Sequence, residues 1–142
     1  REVTLNDGLQ KIGNYAFQNC TSLQSIKLPS TVTEIGDYTF HDCSDLTKVT
    51  FDDGLQKIGN GAFHDCDSLQ CITLPSTMVD IGNGAFKYCR NLREVVLNGV
   101  PHYVKSDAFR NSSELERFLF PTITCRLENI IQTKHWEDFE DK

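Results

Sequence analysis

A phenylalanine returns every 23 residues along this chain, at Phe17, Phe40, Phe63, Phe86 and Phe109. Ile12, Ile35, Ile58, Ile81 and Val104 keep the same step, and so do Leu23, Leu46, Leu69, Leu92 and Leu115. Cysteine follows it at Cys20, Cys43, Cys66 and Cys89, with Ser112 in the fifth place. Two further ladders run through Ile26, Val49, Ile72, Val95 and Phe118, and through Leu28, Phe51, Leu74, Leu97 and Phe120. Six columns in phase leave little choice of architecture. A unit of 23 residues cannot bury its own apolar face, whereas stacked units share one continuous core. Five coils are therefore expected at 8–30, 31–53, 54–76, 77–99 and 100–122, after a partial coil at 1–7. Coils one and three agree at 17 of 23 positions and coils one and two at six, which points to duplication of a two-coil unit.

Each coil divides into strand, turn and helix. In Leu23-x-x-Ile26-x-Leu28 the alternation sends Ile26 and Leu28 one way and Ser25 and Lys27 the other, as in a short strand. Pro29-Ser30, Asp52-Asp53-Gly54 and Pro75-Ser76 supply turns. A brief extended piece such as Val32–Ile35 follows, and Gly13, Gly36, Gly59 and Gly82 then relax the backbone. Asn14, Asp37, Asn60, Asn83 and Ser106 stand where a helix cap accepts bonds from free amides. Ala16, Phe17, Cys20 and Leu23, spaced i, i+1, i+4 and i+7, predict one face of a short helix.

The ends differ from the middle. Arg1-Glu2-Val3-Thr4-Leu5-Asn6 mirrors Arg93-Glu94-Val95-Val96-Leu97-Asn98, so the chain is expected to begin inside the strand of an earlier coil, as a piece of a longer array. Coil five carries Pro101, Lys105 and Ser112 where the others have an apolar residue, glycine and cysteine, which suggests an end coil. Residues 126–142 have no repeat signature, and the segment 123–142 is expected to cap the array. Leu127, Ile130, Ile131, Trp136 and Phe139 fit an amphipathic helix that caps the last coil.

The pattern I-G-x-x-A-F-x-x-C-x-x-L-x-x-[IV]-x-[LF]-P, clearest in Ile12–Pro29, Ile58–Pro75 and Ile81–Leu97, resembles the BspA-type leucine-rich repeat. The resemblance covers residues 1–122. It implies an α/β solenoid, a right-handed coil of 23-residue repeats with short strands on the concave face and short helices on the convex face. It also implies a large surface or secreted protein that binds other macromolecules.

Features with a chemical flavour read as structure. The four-membered cysteine ladder has no C-x-x-C pair, so burial beside the core leucines explains it better than zinc. Cys71 takes the place of Ser25, Lys48, Glu94 and Arg117 on the outward side of the strand, as a lone exposed thiol, while the tail thiol Cys125 has no readable environment. His41-Asp42-Cys43 and His64-Asp65-Cys66 hold the ingredients of a cysteine nucleophile with its base. The cysteine faces the core and the other two face solvent, so no base reaches the thiol. Asp52-Asp53-Gly54 lacks the spaced carboxylates of a calcium loop. The sequons at Asn19 and Asn111 are no more than chance supplies. No catalytic group, cofactor or metal centre is expected.

Composition narrows the function further. With 14 Lys and Arg against 20 Asp and Glu, the net charge of -6 disfavours nucleic acid, whose phosphates would go unneutralised. No apolar run approaches the roughly 18 residues that span a bilayer. What remains is the outward strand face. Its residues Lys27, Lys48, Thr50, Cys71, Thr73, Glu94, Val96, Arg117 and Leu119 form a flat mixed-sign surface suited to a protein or glycan partner, and the chain is expected to act as a monomeric part of its array. The alternative is a structural spacer that binds nothing. The resemblance favours the cell surface, whereas unpaired thiols are compatible with a reducing interior.

Overall fold

The computed structural model describes residues 1–99, 101–105, 107–115 and 117–119, the last three by their backbone. The expected cap at 123–142 lies outside the described residues, as do Ser106, Phe120 and Cys125. Eleven strands follow in order: β1 Glu2–Thr4, β2 Lys11–Ile12, β3 Ser25–Leu28, β4 Glu34–Ile35, β5 Lys48–Phe51, β6 Lys57–Ile58, β7 Cys71–Leu74, β8 Asp80–Ile81, β9 Glu94–Leu97, β10 Tyr103–Val104 and β11 Arg117–Leu119. Every pairing is parallel and offset by 23 residues, with Ser25 opposite Lys48, Ile12 opposite Ile35 and Ile72 opposite Val95. The sequence columns are thus the registers of a parallel β-solenoid of four complete coils and part of a fifth. A five-stranded sheet runs β10-β8-β6-β4-β2 along one side. The longer strands form two three-stranded sheets, β1-β3-β5 and β11-β9-β7.

The phenylalanine column is the axis of the core. Successive rings from Phe17 to Phe109 stack with centroids 5.3, 5.1, 5.1 and 5.2 Å apart and planes within 10° of parallel. That spacing is the rise from one coil to the next, since neighbouring strands stand about 4.8 Å apart and a small offset between rings lengthens it. Phe40, Phe63 and Phe86 have no exposed surface, while Phe17 and Phe109 at the two ends are partly buried. Ile26, Leu28, Ile72 and Leu74 point into the core from the strands, and Lys27, Cys71 and Thr73 between them face water.

The expected helices are replaced. Among the described residues, the segments after each glycine are chains of turns, not helices. Ala16, Gln18 and Cys20 donate to the carbonyls of Gly13, Tyr15 and Phe17, closing local turns. The amides between them reach out instead, Tyr15 to Asp37 O, Phe17 to Thr39 O and Asn19 to His41 O, at 2.8–2.9 Å. A helix would send every amide to its own preceding turn. Here two residues in the turn segment of each of coils one to four hold positive φ, among them Tyr15 (64°), Asn19 (61°), Asp42 (60°), Gly61 (61°) and Asp65 (63°), and that breaks the helical path. The result is a third coil-to-coil hydrogen-bond ladder.

The predicted caps and glycines have different roles as well. Asn14 Oδ1 accepts from the Asp37 amide at 2.7 Å, Asp37 Oδ1 from Asn60 and Asn60 Oδ1 from Asn83, both at 2.9 Å. These side chains cap the next coil's backbone because no helix begins beside them. The glycines make room for that ladder: a Cβ at Gly59 would stand 2.6 Å from Asp37 Oδ1, and one at Gly82 equally near Asn60 Oδ1. Close approach, more than torsional freedom, explains them.

On the five-stranded sheet, paired residues alternate in sign through Lys11, Glu34, Lys57 and Asp80. Glu34 lies 3.2 Å from Lys11 and 3.8 Å from Lys57. Such solvent-facing pairs contribute at most about 1 kcal/mol each, so they guide register more than they add stability. The stability resides in the ring column. Phe63→Ala, which removes a ring stacked on both faces, is expected to cost about 3–5 kcal/mol in denaturant unfolding. Phe17→Ala, at a partly solvated end, should cost clearly less.

Candidate functional site

The outward strand face contains a recess that the sequence reading, which described a flat surface, did not foresee. Thr47 and Lys48 both donate to Gln24 O, and Arg93 and Glu94 both donate to Gln70 O. The equivalent pair from Gln70 and Cys71 to Thr47 is missing, and β5 does not pair with β7. The sheet on this side is therefore split at the junction of coils two and three, although β4 and β6 of the same coils pair normally. A cavity of about 570 Å³ opens there, lined by Thr47, Lys48, Val49, Thr50, Phe51, Ser68, Gln70, Cys71 and Thr73. Its volume is in the range of about 300–1,000 Å³ usual for ligand pockets.

One residue distinguishes this junction in the core. The column Leu28, Leu74, Leu97 is almost fully buried, but coil two has Phe51, which is partly exposed and turns its ring edge-on to Phe63 at 6.1 Å and 77°. The ring is bulkier than the leucines of this column, and it stands at the one long-strand junction among the described residues where pairing is lost. Phe51 is the departure from the leucine column that could have revealed the recess in advance.

The recess gathers Lys48, Thr50, Cys71 and Thr73 of the expected contact residues. Lys27, Glu94 and Val96 lie on the same face outside it, with Lys27 exposed and the other two half-buried. Arg117 and Leu119 continue the register opposite Glu94 and Val96, and their side chains lie outside the described residues. Thr47, Ser68 and Gln70 are lining residues that alternation along the strands did not single out.

The cysteines separate into two kinds. Cys43, Cys66 and Cys89 are buried, and each Sγ donates to the carbonyl of a phenylalanine in the preceding coil, at 3.1, 3.2 and 3.1 Å. Ser112 Oγ makes the same bond to Phe86 O at 2.7 Å, so the residue that looked like a departure keeps the column's chemistry. Burial pushes the thiols of Cys43 and Cys89 up to about 12 and that of Cys66 well above its ordinary value. Protonated thiols bound to carbonyls are not nucleophiles. Cys71 is exposed, with Sγ 3.8 Å from Glu94 Oε1. Partial burial first, then the Glu94 carboxylate, raise its pKa.

On the turn side of the solenoid, one group among the described residues has metal-ligating composition: His41, His64 and Asp65, whose ligand atoms lie within 4.8 Å of one another. Adjacent coils bring the two His-Asp motifs together by the 23-residue step. No described helix is long and apolar enough to cross a membrane.

A parallel solenoid with one recessed strand face defines a repeat protein of the leucine-rich class. The BspA type leucine rich repeat region matches residues 1–134 in six copies, and the chain belongs to that family. It is similar to the T. pallidum leucine-rich repeat protein, with 36% identity over 82% of this chain and 57% of that one, at a TM-score of 0.76. It is also similar to a leucine-rich cell surface protein of Faecalibacterium prausnitzii A2-165, with 25% identity over 93% of this chain and 35% of that one (TM-score 0.82). A leucine-rich repeat protein of Bacteroides ovatus ATCC 8483 shares 26% identity over 99% of this chain and 41% of its own length (TM-score 0.67). The chain thus spans 57% or less of each of these neighbours. No curated protein gives a significant match. Leucine-rich repeat proteins are generally interaction or surface modules and generally non-enzymatic.

Two measurements check this geometry. In Phe51→Leu the column is leucine through coils one to four, and the amides of Gln70 and Cys71 should exchange with solvent at least tenfold more slowly as β5 and β7 pair. In the folded protein, alkylation should modify Cys71 and spare Cys43, Cys66 and Cys89 until denaturant is added. Glu94→Gln removes the charge that raises the Cys71 pKa, so labelling at pH 8 should become faster in that variant.

Proposed function

We propose that this chain is a non-enzymatic module that binds a protein or glycan through its outward strand face, centred on the recess between β5 and β7. The observation that carries this reading is the split in the strand ladder, because it creates both a cavity and unused hydrogen-bonding groups. The backbone groups of β5 and β7 that lack a strand partner border the recess and are open to side-chain donors and acceptors of a partner. Lys48 contributes charge, Thr50 and Thr73 hydroxyls and Gln70 an amide, a polar set lining a cleft with an apolar floor at Val49 and Phe51. Lys27 extends this face on one flank and Glu94, Val96, Arg117 and Leu119 on the other.

The F. prausnitzii neighbour is described as a cell surface protein, and we extend that placement to this chain, as a monomeric segment of a longer array. The buried thiols suit such a location, since each is shielded and engaged by a carbonyl. A net charge of -6 argues against nucleic acid as the partner. The reading invokes no cofactor. The spacer reading draws on a different observation, the unbroken five-stranded sheet that ties all five coils together.

Arrays of immobilised proteins and glycans test the choice. A ligand of the strand face should lose at least tenfold in affinity for Lys48→Glu and for Thr73→Arg, and should bind Lys87→Glu, on the turn side, as it binds the parent. Equal affinity for all variants, or no ligand on either array, would favour the spacer.

A further inference from the structure

We propose that His41, His64 and Asp65 form a binding site for a divalent transition-metal ion of the zinc type, held across the junction of coils two and three. His64 Nδ1 lies 2.9 Å and His41 Nε2 3.8 Å from Asp65 Oδ2. With bonds of about 2.0–2.2 Å at tetrahedral angles, ligand atoms stand about 3.3–3.6 Å apart. The two observed distances bracket that figure and all three ligand atoms lie within 4.8 Å of one another, so side-chain rotations that draw the imidazoles together bring the set to it. The imidazole rings are tilted at 52° with centroids 4.9 Å apart, so they are not stacked flat against each other.

The surroundings leave these atoms available. His64 Nδ1 is buried without a well-directed hydrogen bond, despite its short distance to the carboxylate. A buried nitrogen in that condition is costly unless something engages it. The three side chains are 26%, 21% and 30% exposed, which shields an ion and leaves a path for it to enter. Tyr38 packs edge-on against His41, and Tyr88 against His64. Gln18 Nε2 lies 3.3 Å from His41 Nδ1. With that amide turned over, Oε1 accepts from Nδ1–H and the Nε2 lone pair is free for the metal.

Charge around the site is arranged to orient the carboxylate without filling the ion's place. Arg90 Nη1 approaches Asp65 through Oδ1, at 3.6 Å, and makes its shorter contact with Asp67 at 2.9 Å. Oδ2 is left facing the imidazoles. Asp65 holds a positive φ of 63°, which fixes where its side chain leaves the backbone. Two imidazoles with one carboxylate suit zinc and its neighbours and do not suit magnesium or calcium, which require more oxygen ligands.

Zinc chloride titrated into the full chain, with a competing chelator, tests the site. One ion per chain is expected in the parent and in Cys71→Ser. Each of His41→Gln, His64→Gln and Asp65→Asn should lose at least tenfold in affinity, while magnesium at the same concentration should not bind. Zinc should also raise the melting temperature of the parent and of Cys71→Ser, but not of His64→Gln. Should a variant fail to fold, the imidazole NMR signals of the unaltered chain decide: stoichiometric zinc should shift those of His41 and His64 and leave His102 in place. Unshifted His41 and His64 signals, undiminished binding in the three variants, or loss of binding in Cys71→Ser would overturn the proposal.

Discussion

Coil-to-coil hydrogen bonding at a constant step of 23 residues is the constraint from which the rest of this structure derives. The long strands, the short strands and the turn segments each form a ladder to the next coil, so the backbone is satisfied on three sides at once except where β5 and β7 part. Once that step is set, like stacks on like. Phenylalanine rings lie face to face, each buried cysteine meets a phenylalanine carbonyl of the coil before, and the side-chain oxygens of Asn14, Asp37 and Asn60 meet the amides of their counterparts in the next coil. Hydrophobic burial stabilises the stack, but it is non-directional and would tolerate many packings. The ladders specify one.

The same rule explains which substitutions within a column are silent and which have consequences. Ser112 replaces cysteine and keeps the donor that the phenylalanine carbonyl needs. Thr39 replaces alanine in the interior and remains satisfied because its hydroxyl reaches Gly36 O at 2.8 Å and Gly13 O at 3.1 Å. Phe51 replaces leucine with a larger ring, and beside it β5 and β7 part while the other two ladders of the same coils stay closed.

The fold was legible in the sequence to the extent that it is periodic. Phe17 to Phe109, Leu23 to Leu115 and the strand alternation at Ile26 and Leu28 predicted the stack, its register and its core residues. The helices were not legible correctly, since i, i+4, i+7 spacing is shared by a helix and by a chain of tight turns of similar rise. Positive φ falls in two columns, Asn19, Asp42, Asp65, Tyr88 and Asn111 in one and Tyr15, Tyr38, Gly61 and Gly84 in the other. Asn, Asp and Gly tolerate it better than other types do, and their recurrence is the signal that helix periodicity masked, while the three tyrosines gave none. The recess was harder to foresee, because it depends on how far a single ring displaces a strand. The histidine pair was hidden differently: His41 and His64 look remote along the chain and become neighbours only after the 23-residue step is applied to polar columns as well as apolar ones.

A uniform solenoid presents the same face at every coil, so any selective activity must be encoded where the columns deviate. Duplication of a two-coil unit makes coils one and three nearly alike, and coil two is the odd member between them. Its junction with coil three therefore joins two dissimilar surfaces. There the leucine column gives way to Phe51 on the strand side, and glutamine gives way to histidine at positions 41 and 64 on the turn side. Opening a ladder on one side removes hydrogen bonds that the remaining two must offset. A ligand that ties His41 in coil two to His64 and Asp65 in coil three would act at the same junction, on a different ladder from the split one. The recess and the histidine cluster both lie at a junction where the columns deviate.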